Sequence, residues 1–561
     1  MSDAEEPPLG DLEHMPESAM LRIMDCMEQD KERKVCRLAC TRFRALCDCC
    51  SRRMALQDVE GDSAGIEQRI ARMAARSPMV SSLVVRNGCR LDLEPIFAAF
   101  NPGQITSLVL DECSSDDVPM FRNLPSALAH LRGLQTLGMR QCWLGDDVVC
   151  AMAPALHEMT GMRELKLGCN NIHARGMAAI APALLGMTKL DSLDIGENGP
   201  TKDHGLLGEW STMVGGVLTR LVSLRKLDLD CSHLHEAFMP FLAAMTWLHE
   251  LRVDCVTLGR SGEVVNPINP DVSTAFAAAV GGMKHLQLFI FGESNLGDDG
   301  AVALARALAG LRELNTLSIG SDIRTTTRCA LPFAQALRGR PQLQYIDYRV
   351  ELDSAASDEM ASALHEMPGL IELRYSCLGP STSPSPLSPA IEAMTALTLL
   401  EVRSNLCSER IVPVLRSVAQ LTGLQELTWY NDGPAEGALP AMVSTLANLT
   451  CMRLLTLKIC AIDGDALTVL VPVLVRMTAL TYLSLGNCNL RTQDLLLLKP
   501  VLQMPALHTL REISLVDNNM AEARRMADHL CTEVPGFRAG LWYSYPNDIE
   551  RDVVSVSFFM E

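Results

Sequence analysis

The chain has 561 residues, and 48% of them are hydrophobic, so it has ample material for a folded core. Its formal net charge of −18 argues against a generic nucleic-acid-binding protein and against a protein that lies on anionic membranes. The acidic start lacks an apolar signal region, and no run of about 18 apolar residues could span a bilayer. We therefore expect the 20 cysteines to be reduced, in the cytoplasm or the nucleus.

The first segment of the chain does not share the pattern that follows it. Residues 1–10 are expected to form a disordered acidic start, and residues 11–60 a small all-α module. Three apolar phrases mark this module: Met15-Pro16, Ile23-Met24 and Ala39-Cys40-x-x-Phe43-x-x-Leu46. Their order and spacing resemble an F-box, although Met15, Met24 and Ala39 replace the family's usual Leu, aromatic residue and Val.

The F-box resemblance implies that this module docks a Skp-type adaptor of a cullin-type (SCF) ubiquitin ligase. The side chains expected to form the adaptor-binding face are Pro16, Ile23, Met24, Met27, Leu38 and Phe43. An alternative is that residues 11–60 only cap the first repeat. A zinc site is a third possibility, because six cysteines crowd this stretch: Cys26, Cys36, Cys40, Cys47, Cys49 and Cys50. They do not form two regularly spaced pairs, so no metal is expected.

A repeated phrase organises most of the chain. Its first three clear copies cover residues 134–144, 162–172 and 190–198, and their starts are 28 residues apart. Further copies start at residues 286, 314, 343, 370, 397, 424, 452 and 480, and weaker copies start at 80, 105, 224, 248 and 510. A fixed period of this length indicates a repeat architecture rather than several closed domains.

The phrase resembles the leucine-rich-repeat signature L-x-x-L-x-L-x-x-N/C-x-L, and the period resembles the ribonuclease-inhibitor-like subclass. The resemblance implies an α/β solenoid of about sixteen repeats over residues 61–535, with parallel strands on a concave side and helices on a convex side. The physical pattern agrees, because positions four and six of each phrase are apolar and would point inward along a short strand. Residues 536–561 break the pattern and are expected to cap the last repeat.

Position nine of each phrase carries an amide or a thiol where the chain leaves the strand. The residues there are Cys113, Cys142, Asn170, Asn198, Asn405, Cys460, Cys488 and Asn518. A buried side chain of this kind can bond to the backbone of adjacent turns, so we predict a ladder of such bonds along the repeats.

Apolar residues at helical spacing separate the phrases, for example over residues 298–308 and 465–475. Two segments interrupt the pattern. Residues 262–270 are predicted to be a loop, and the Pro- and Ser-rich residues 379–389 are predicted to replace a helix with irregular chain.

Catalytic motifs are absent from the sequence. No phosphate-binding loop, dinucleotide-binding glycine motif or nucleophile elbow occurs. The pairs His157-Glu158 and His365-Glu366 begin like a zinc-protease motif but lack its second His, and both repeat the phrase His-Glu-Met-x-Gly. We expect no cofactor and no enzymatic activity.

The sequence therefore predicts a protein-interaction scaffold, with the substrate-recognition subunit of an SCF ligase as its specific form. The alternative is a non-ligase repeat protein, such as an inhibitor, a GTPase regulator or a complex subunit. Side chains at positions three, five and seven should face the ligand on the concave sheet. We predict an acid-rich patch for a basic partner segment and an Arg- and Tyr-rich anchor: Asp194, Asp228, Asp230, Arg252 and Asp254, then Tyr345, Arg349, Arg374, Arg403 and Tyr430.

Overall fold

A computed structural model describes most of the repeat region. The described residues are 53–57, 79–86, 93–101, 103–111, 119–199, 204–230, 236–254, 270–292, 296–320, 327–350, 352, 354–377, 387–404, 408–431, 438–459, 462–486, 488, 490–502, 512–515, 537–543 and 554–560. The six residues of the expected adaptor-binding face and the six cysteines of the first segment lie outside these ranges. The chain divides into two compact units, Met1–Leu248 and His249–Glu561.

The first unit alternates strands and helices. Its strands are β1 (Arg53–Gln57), β2 (Ser82–Arg86), β3 (Ser107–Asp111), β4 (Thr136–Arg140), β5 (Glu164–Lys166), β6 (Ser192–Asp194) and β7 (Lys226–Asp228). Its helices are α1 (Leu93–Ala98), α2 (Pro119–Ala129), α3 (Gly145–His157), α4 (Ala174–Gly186), α5 (His204–Leu218) and α6 (Met239–Ala244), the last preceded by a 3-10 turn at Glu236–Phe238. Each strand pairs in parallel with the next one in sequence.

The second unit continues the same alternation. Its repeat strands are β8 (Glu250–Asp254), β9 (Leu288–Gly292), β10 (Thr316–Ile319), β11 (Tyr345–Tyr348), β12 (Glu372–Cys377), β13 (Leu399–Ser404), β14 (Glu426–Asn431), β15 (Leu454–Ile459), β16 (Tyr482–Ser484) and β17 (Glu512–Ser514). Its helices are α7 (Pro270–Gly282), α8 (Gly297–Ala309), α9 (Ala330–Leu337), α10 (Ser354–His365), α11 (Leu387–Ala393), α12 (Ser408–Val418), α13 (Leu439–Asn448), α14 (Gly464–Leu474) and α15 (Lys499–Leu502). Two 3-10 segments, Thr327–Cys329 and Thr492–Leu498, precede α9 and α15.

These strands are also parallel, each paired with its sequence neighbour. The α/β leucine-rich-repeat solenoid predicted from the sequence is thus confirmed in each unit. Among the described residues, no helix combines the length and the apolar character that crossing a bilayer requires.

The core lies between the sheet and the helices, as the phrase predicts. Position four shows the packing: Leu317 lies in register between Phe289 and Ile346, and all three are at most 1% exposed. Burial of one such side chain contributes about 1.5–3 kcal/mol. One repeat cannot bury its own apolar edge, so this stabilisation depends on the neighbouring repeats.

The position-nine ladder is confirmed where it is described. The side-chain amide of Asn170 accepts from the N–H of Cys142 at 2.9 Å and donates to the carbonyl of Leu167 at 2.9 Å. The cysteines at the same position donate from their thiols to the preceding repeat. Cys142 Sγ donates to the Leu110 carbonyl at 3.4 Å and Cys488 Sγ to the Leu457 carbonyl at 3.1 Å.

The chain turns around position nine through left-handed residues. Position eight is left-handed at Gln141, Cys169 and Glu197, with φ of 57°, 58° and 53°. Position ten is left-handed at Trp143 and Asn171, with φ of 52° and 54°. Such values are costly for residues other than glycine, so the surrounding hydrogen bonds must hold these turns in place.

Two described elements differ from the expected boundaries. Strand β1 lies inside residues 11–60 and pairs with β2, so the sheet includes residues before 61, where the repeats were expected to start. Helix α11 begins within the segment 379–389, whose last residues were expected to be irregular. Its Pro389 falls in the first helical turn, where a missing N–H costs nothing. The loop predicted over residues 262–270 lies outside the described residues, apart from Pro270 at the start of α7.

The end of the second unit differs from the repeats. Strands β18 (Phe537–Tyr543) and β19 (Val554–Met560) form an antiparallel hairpin. Strand β19 pairs antiparallel with the last repeat strand, β17. The hairpin therefore occupies the edge of that sheet, and the exposed edge of a sheet is prone to pair with other chains.

Candidate binding surfaces on the strand face

The side of each sheet that faces away from the helices, here called the strand face, carries the candidate functional residues. Alternation along the strands creates it: in β9 and β14, odd positions of the phrase are half-buried and even positions are buried. Side chains at positions three, five and seven therefore stand on the strand face, held by a sheet rather than by flexible loops.

In the second unit, strands β11 to β15 bring together the group we call the Arg–Tyr cluster. It consists of Tyr345, Asp347, Arg349, Arg374, Glu401, Arg403, Tyr430 and Lys458. Strand pairing places Asp347, Arg374 and Glu401 side by side in one row. A second row, nearer the carboxyl ends of the strands, holds Arg403, Tyr430 and Lys458 in register.

Cations of the cluster lie over its two phenol rings. The Arg403 guanidinium carbon is 4.9 Å from the ring centre of Tyr430, and Lys458 Nζ is 5.4 Å from the same centre. The Arg374 guanidinium carbon is 5.9 Å from the ring centre of Tyr345. Contacts of this kind contribute about 0.5–2 kcal/mol each and fix the plane of the guanidinium.

The carboxylates of the cluster lie beneath its cations. Arg349 binds Asp347 through two hydrogen bonds, Nε to Oδ1 at 2.8 Å and Nη2 to Oδ2 at 3.1 Å. Glu401 accepts from Arg403 Nε at 3.1 Å, and its other oxygen is 3.9 Å from Arg374 Nε. Burial raises the pKa of both Tyr345 and Tyr430 above the usual range, so these phenols remain neutral hydrogen-bonding groups.

The predicted residues Arg252 and Asp254 lie on β8 of the same unit. Their register partners on β9 are Ile290 and Gly292. Three strand steps separate β8 from β11, about 14 Å at the usual strand spacing. Arg252 is half-buried, and only the backbone of Asp254 is described, so these two residues lie outside the Arg–Tyr cluster.

In the first unit, Asp194 and Asp228 are register partners on β6 and β7, and Asp230 follows β7. Asp194, predicted to bind the partner, has a side chain that is only 6% exposed. Arg140, two strands away on β4, reaches across β5 to within 3.6 Å of Asp194 Oδ2. Asp194 Oδ1 accepts from the N–H of Gly196 at 3.0 Å.

The surroundings of Asp194 disfavour its charge. Burial raises the pKa of this carboxyl to about 6, and the nearby charge of Asp228 adds to the rise, against the opposing charge of Arg140. The carboxyl also occupies space that a larger residue at 168 would need, since a Cβ on Gly168 would lie 2.6 Å from Asp194 Oδ1.

The sequence analysis missed two charged residues beside Asp194, namely Arg140 and Glu197. Arg140 Nη2 donates to Glu197 Oε1 at 3.1 Å, so one guanidinium contacts two carboxylates of the phrase that starts at residue 190, two repeats further along the chain. Arg140 stands at position seven of its phrase, so the repeat pattern could have placed it on the strand face. Glu197 stands at the left-handed position eight, and nothing in the phrase marks that position as part of the strand face.

No other chemistry stands out in the described ranges. No three His, Cys, Asp or Glu side chains there come close enough to hold a metal ion. Among the described cysteine side chains, Cys142, Cys329 and Cys488 are buried.

Comparisons with known proteins give similar folds but no family. No family model and no curated protein matches the sequence. Similar solved structures include an internalin (inlF) from Listeria monocytogenes, with 19% identity over 66% of this chain and 79% of that chain, at a TM-score of 0.31. Another is the TLR13–ssRNA13 complex, with 14% identity over 78% of this chain and 60% of that chain, at a TM-score of 0.35. This chain thus spans less than two thirds of the second protein.

Proposed function

We propose that the chain is a protein-interaction scaffold without catalytic chemistry of its own, working in a reducing compartment, and that its partner binds the strand face. The observation that carries this proposal is the Arg–Tyr cluster. Arg and Tyr are enriched among residues that dominate binding energies at protein interfaces. Here Arg403 and Tyr430 stand on paired strands in contact with each other, so little side-chain freedom is lost on binding.

The first unit contributes a second contact, which is negatively charged. Asp228 and Asp230 are half-buried on its strand face, and their charges repel each other and Asp194. A basic partner segment relieves this repulsion. Asp194 is buried under Arg140 and does not touch the partner directly. Its negative charge adds to the repulsion at Asp228.

Site-specific photo-cross-linking in the source cells tests the scaffold proposal. A benzophenone amino acid replaces Thr428, which lies on the strand face between Glu401 and Thr456. The matched control places it at Ser444, an exposed residue of α13. We expect a discrete cross-linked protein from position 428 only, lost when Tyr430→Ala is added. Equal products from both positions, or none from position 428, would refute a partner on the strand face.

The specific form of the proposal is that residues 11–60 dock a Skp-type adaptor and that the repeats present a substrate to a cullin ubiquitin ligase. Support comes from the F-box resemblance of Met15-Pro16, Ile23-Met24 and the phrase ending at Leu46. The apolar residues expected to form the adaptor-binding face are too many for a segment of about 50 residues to bury alone.

A pull-down of the Skp-type adaptor by the whole chain tests the ligase form. The whole chain is required because β1 begins at Arg53, so a cut at residue 60 would separate two paired strands. We expect wild type to retain the adaptor and a Pro16→Ala/Phe43→Ala variant to lose it. An Arg306→Gln variant, altered at an exposed position of α8, is the control. Equally weak capture by wild type and the double variant would leave the scaffold without a ligase role.

A further inference from the structure

We propose that the Arg–Tyr cluster binds an acidic peptide segment of the protein partner, with the segment's carboxylates on Arg374, Arg403 and Lys458. This inference rests on the proposed function and adds the chemistry of the ligand. It assigns to the second unit a partner charge opposite to the one expected at Asp228 and Asp230 of the first.

Two arginines of the cluster share one carboxylate, and its lysine has no carboxylate partner in the described ranges. Glu401 bonds Arg403 through Nε and lies 3.9 Å from Arg374 Nε, which has no hydrogen-bond partner. Lys458 contacts the Tyr430 ring, and no carboxylate within the described ranges pairs with it. Arg349 is already paired, because its Nε and Nη2 both donate to the carboxylate of Asp347. Arg374 Nε is buried, so the donor group of the cluster that is open to an incoming carboxylate without displacing a described one is the Lys458 ammonium.

The accessible layer of the cluster is cationic. The Arg374 and Arg403 side chains are 33% and 41% exposed, whereas Glu401 beneath them is 14% exposed. An incoming ligand meets guanidinium groups before it meets the carboxylate. Both guanidiniums are partly desolvated, which strengthens a charge-assisted bond relative to one made in bulk water.

Arg403 and Lys458 flank the Tyr430 ring on the two neighbouring strands, so like charges stand two strand steps apart, about 10 Å. A polyproline II segment has three residues per turn and rises about 3.1 Å per residue, so acidic residues three apart lie on one face about 9 Å apart and match this spacing. The next row offers small hydroxyl residues, Thr428 and Thr456, in register with Glu401, and they leave space for a backbone.

Acidic side chains on the same strands set the position of the segment. Glu372 and Glu426 stand at position three, four residues nearer the amino ends than the row of Arg403 and Tyr430. They repel an acidic ligand toward the carboxyl ends of the strands. The segment is therefore expected to lie along the row that contains Arg403, Tyr430 and Lys458.

Fluorescence anisotropy with the whole chain tests this inference. The probe is a labelled peptide of about twelve residues with Glu at every third position among Gly and Ser, and its controls carry Gln or Lys at the same positions. We expect the Glu peptide to bind at least about tenfold more tightly than the Gln peptide, and to weaken as salt shortens the screening length from about 14 to about 6 Å.

Variants locate the peptide. Arg403→Gln/Lys458→Gln should weaken binding of the Glu peptide about tenfold, while Arg403→Lys, which keeps the charge, should weaken it less. The matched control, Arg306→Gln/Arg416→Gln, removes two charges from exposed helix positions and should leave binding within about twofold. Urea unfolding of each variant verifies that the fold is retained.

The inference is overturned if the Gln peptide binds as tightly as the Glu peptide, or if Arg403→Gln/Lys458→Gln weakens the Lys peptide as much as the Glu peptide. It is also overturned if the helix variant loses as much affinity for the Glu peptide as the cluster variant. It is also overturned if the Glu peptide does not bind while cross-linking at position 428 succeeds, and the proposed function then stands. If both experiments fail, the proposed function falls with it.

Discussion

Asn198 Oδ1 accepts hydrogen bonds from the backbone N–H groups of Asn170 at 3.1 Å and Ile172 at 3.0 Å, one repeat earlier. Its amide nitrogen donates to the carbonyls of Leu167 and Ile195 at 2.8 and 3.1 Å. One side chain thus binds four backbone groups in two successive turns.

We expect Asn198→Ala to destabilise the first unit by about 2–4 kcal/mol, because each buried group left unsatisfied costs about 1–3 kcal/mol and some groups recover water. Pulse proteolysis in urea, with peptides of the first unit followed by mass spectrometry, measures the change. Gln135→Ala removes an amide from an exposed position of the same unit and should change stability by less than about 0.5 kcal/mol. Equal shifts for both variants would show that the ladder does not stabilise the turns.

Leu317→Asp should destabilise the second unit by more than about 4 kcal/mol, because it places an unpaired carboxyl between Phe289 and Ile346. Leu317→Met keeps the volume and should cost less than about 1.5 kcal/mol. The same proteolysis assay, read on peptides of the second unit, checks both values. A small effect of the aspartate would mean that position four is not a shared core position between repeats.

Asp194 should make the first unit less stable as pH rises. Its folded pKa of about 6 lies above the ordinary 3.8, so the folded state holds this proton more tightly than the unfolded state. Its contribution is therefore complete below about pH 3.8 and is lost as pH rises through about 6. Asp194→Asn should remove this decline and stabilise the first unit by about 1–3 kcal/mol near neutral pH.

The difference in unfolding free energy between wild type and Asp194→Asn, measured from about pH 4 to pH 8, isolates this carboxyl from the other acids. We expect the difference to grow in favour of the variant up to about pH 6 and then stay constant. A constant difference across the range, or one of opposite sign, would contradict the assigned pKa.

Much of the repeat architecture could be predicted because the same burial and hydrogen-bonding demands recur every 27 to 29 residues. Leucines at positions four and six, and the amide at position nine, are such demands. The contact between Arg140 and Asp194 could not be predicted, since it depends on how far a long side chain leans across an intervening strand. Strand β1 was missed because residues 53–57 carry only a fragment of the phrase.

Charge reversal should weaken binding of a basic peptide more at Asp228 and Asp230, on the strand face of the first unit, than at acidic residues on a helix. The Lys peptide described above should bind the Asp228→Lys/Asp230→Lys variant several-fold more weakly than wild type, because the change removes attraction and adds repulsion. Asp298→Lys/Asp299→Lys makes the same change in the first turn of α8 and should have a smaller effect. If both variants weaken binding equally, only net charge matters and the acidic site is absent.

Quantitative mass spectrometry of proteins that co-purify with the chain from its source cells tests the scaffold account most directly. Three baits are compared: wild type, the strand-face variant Arg403→Ala/Tyr430→Ala, and the helix-face variant Arg416→Ala/Ser444→Ala. The account predicts that at least one protein is retained by wild type and the helix-face variant and is depleted about tenfold or more with the strand-face variant. Identical partners for all three baits, or depletion with the helix-face variant alone, would contradict it.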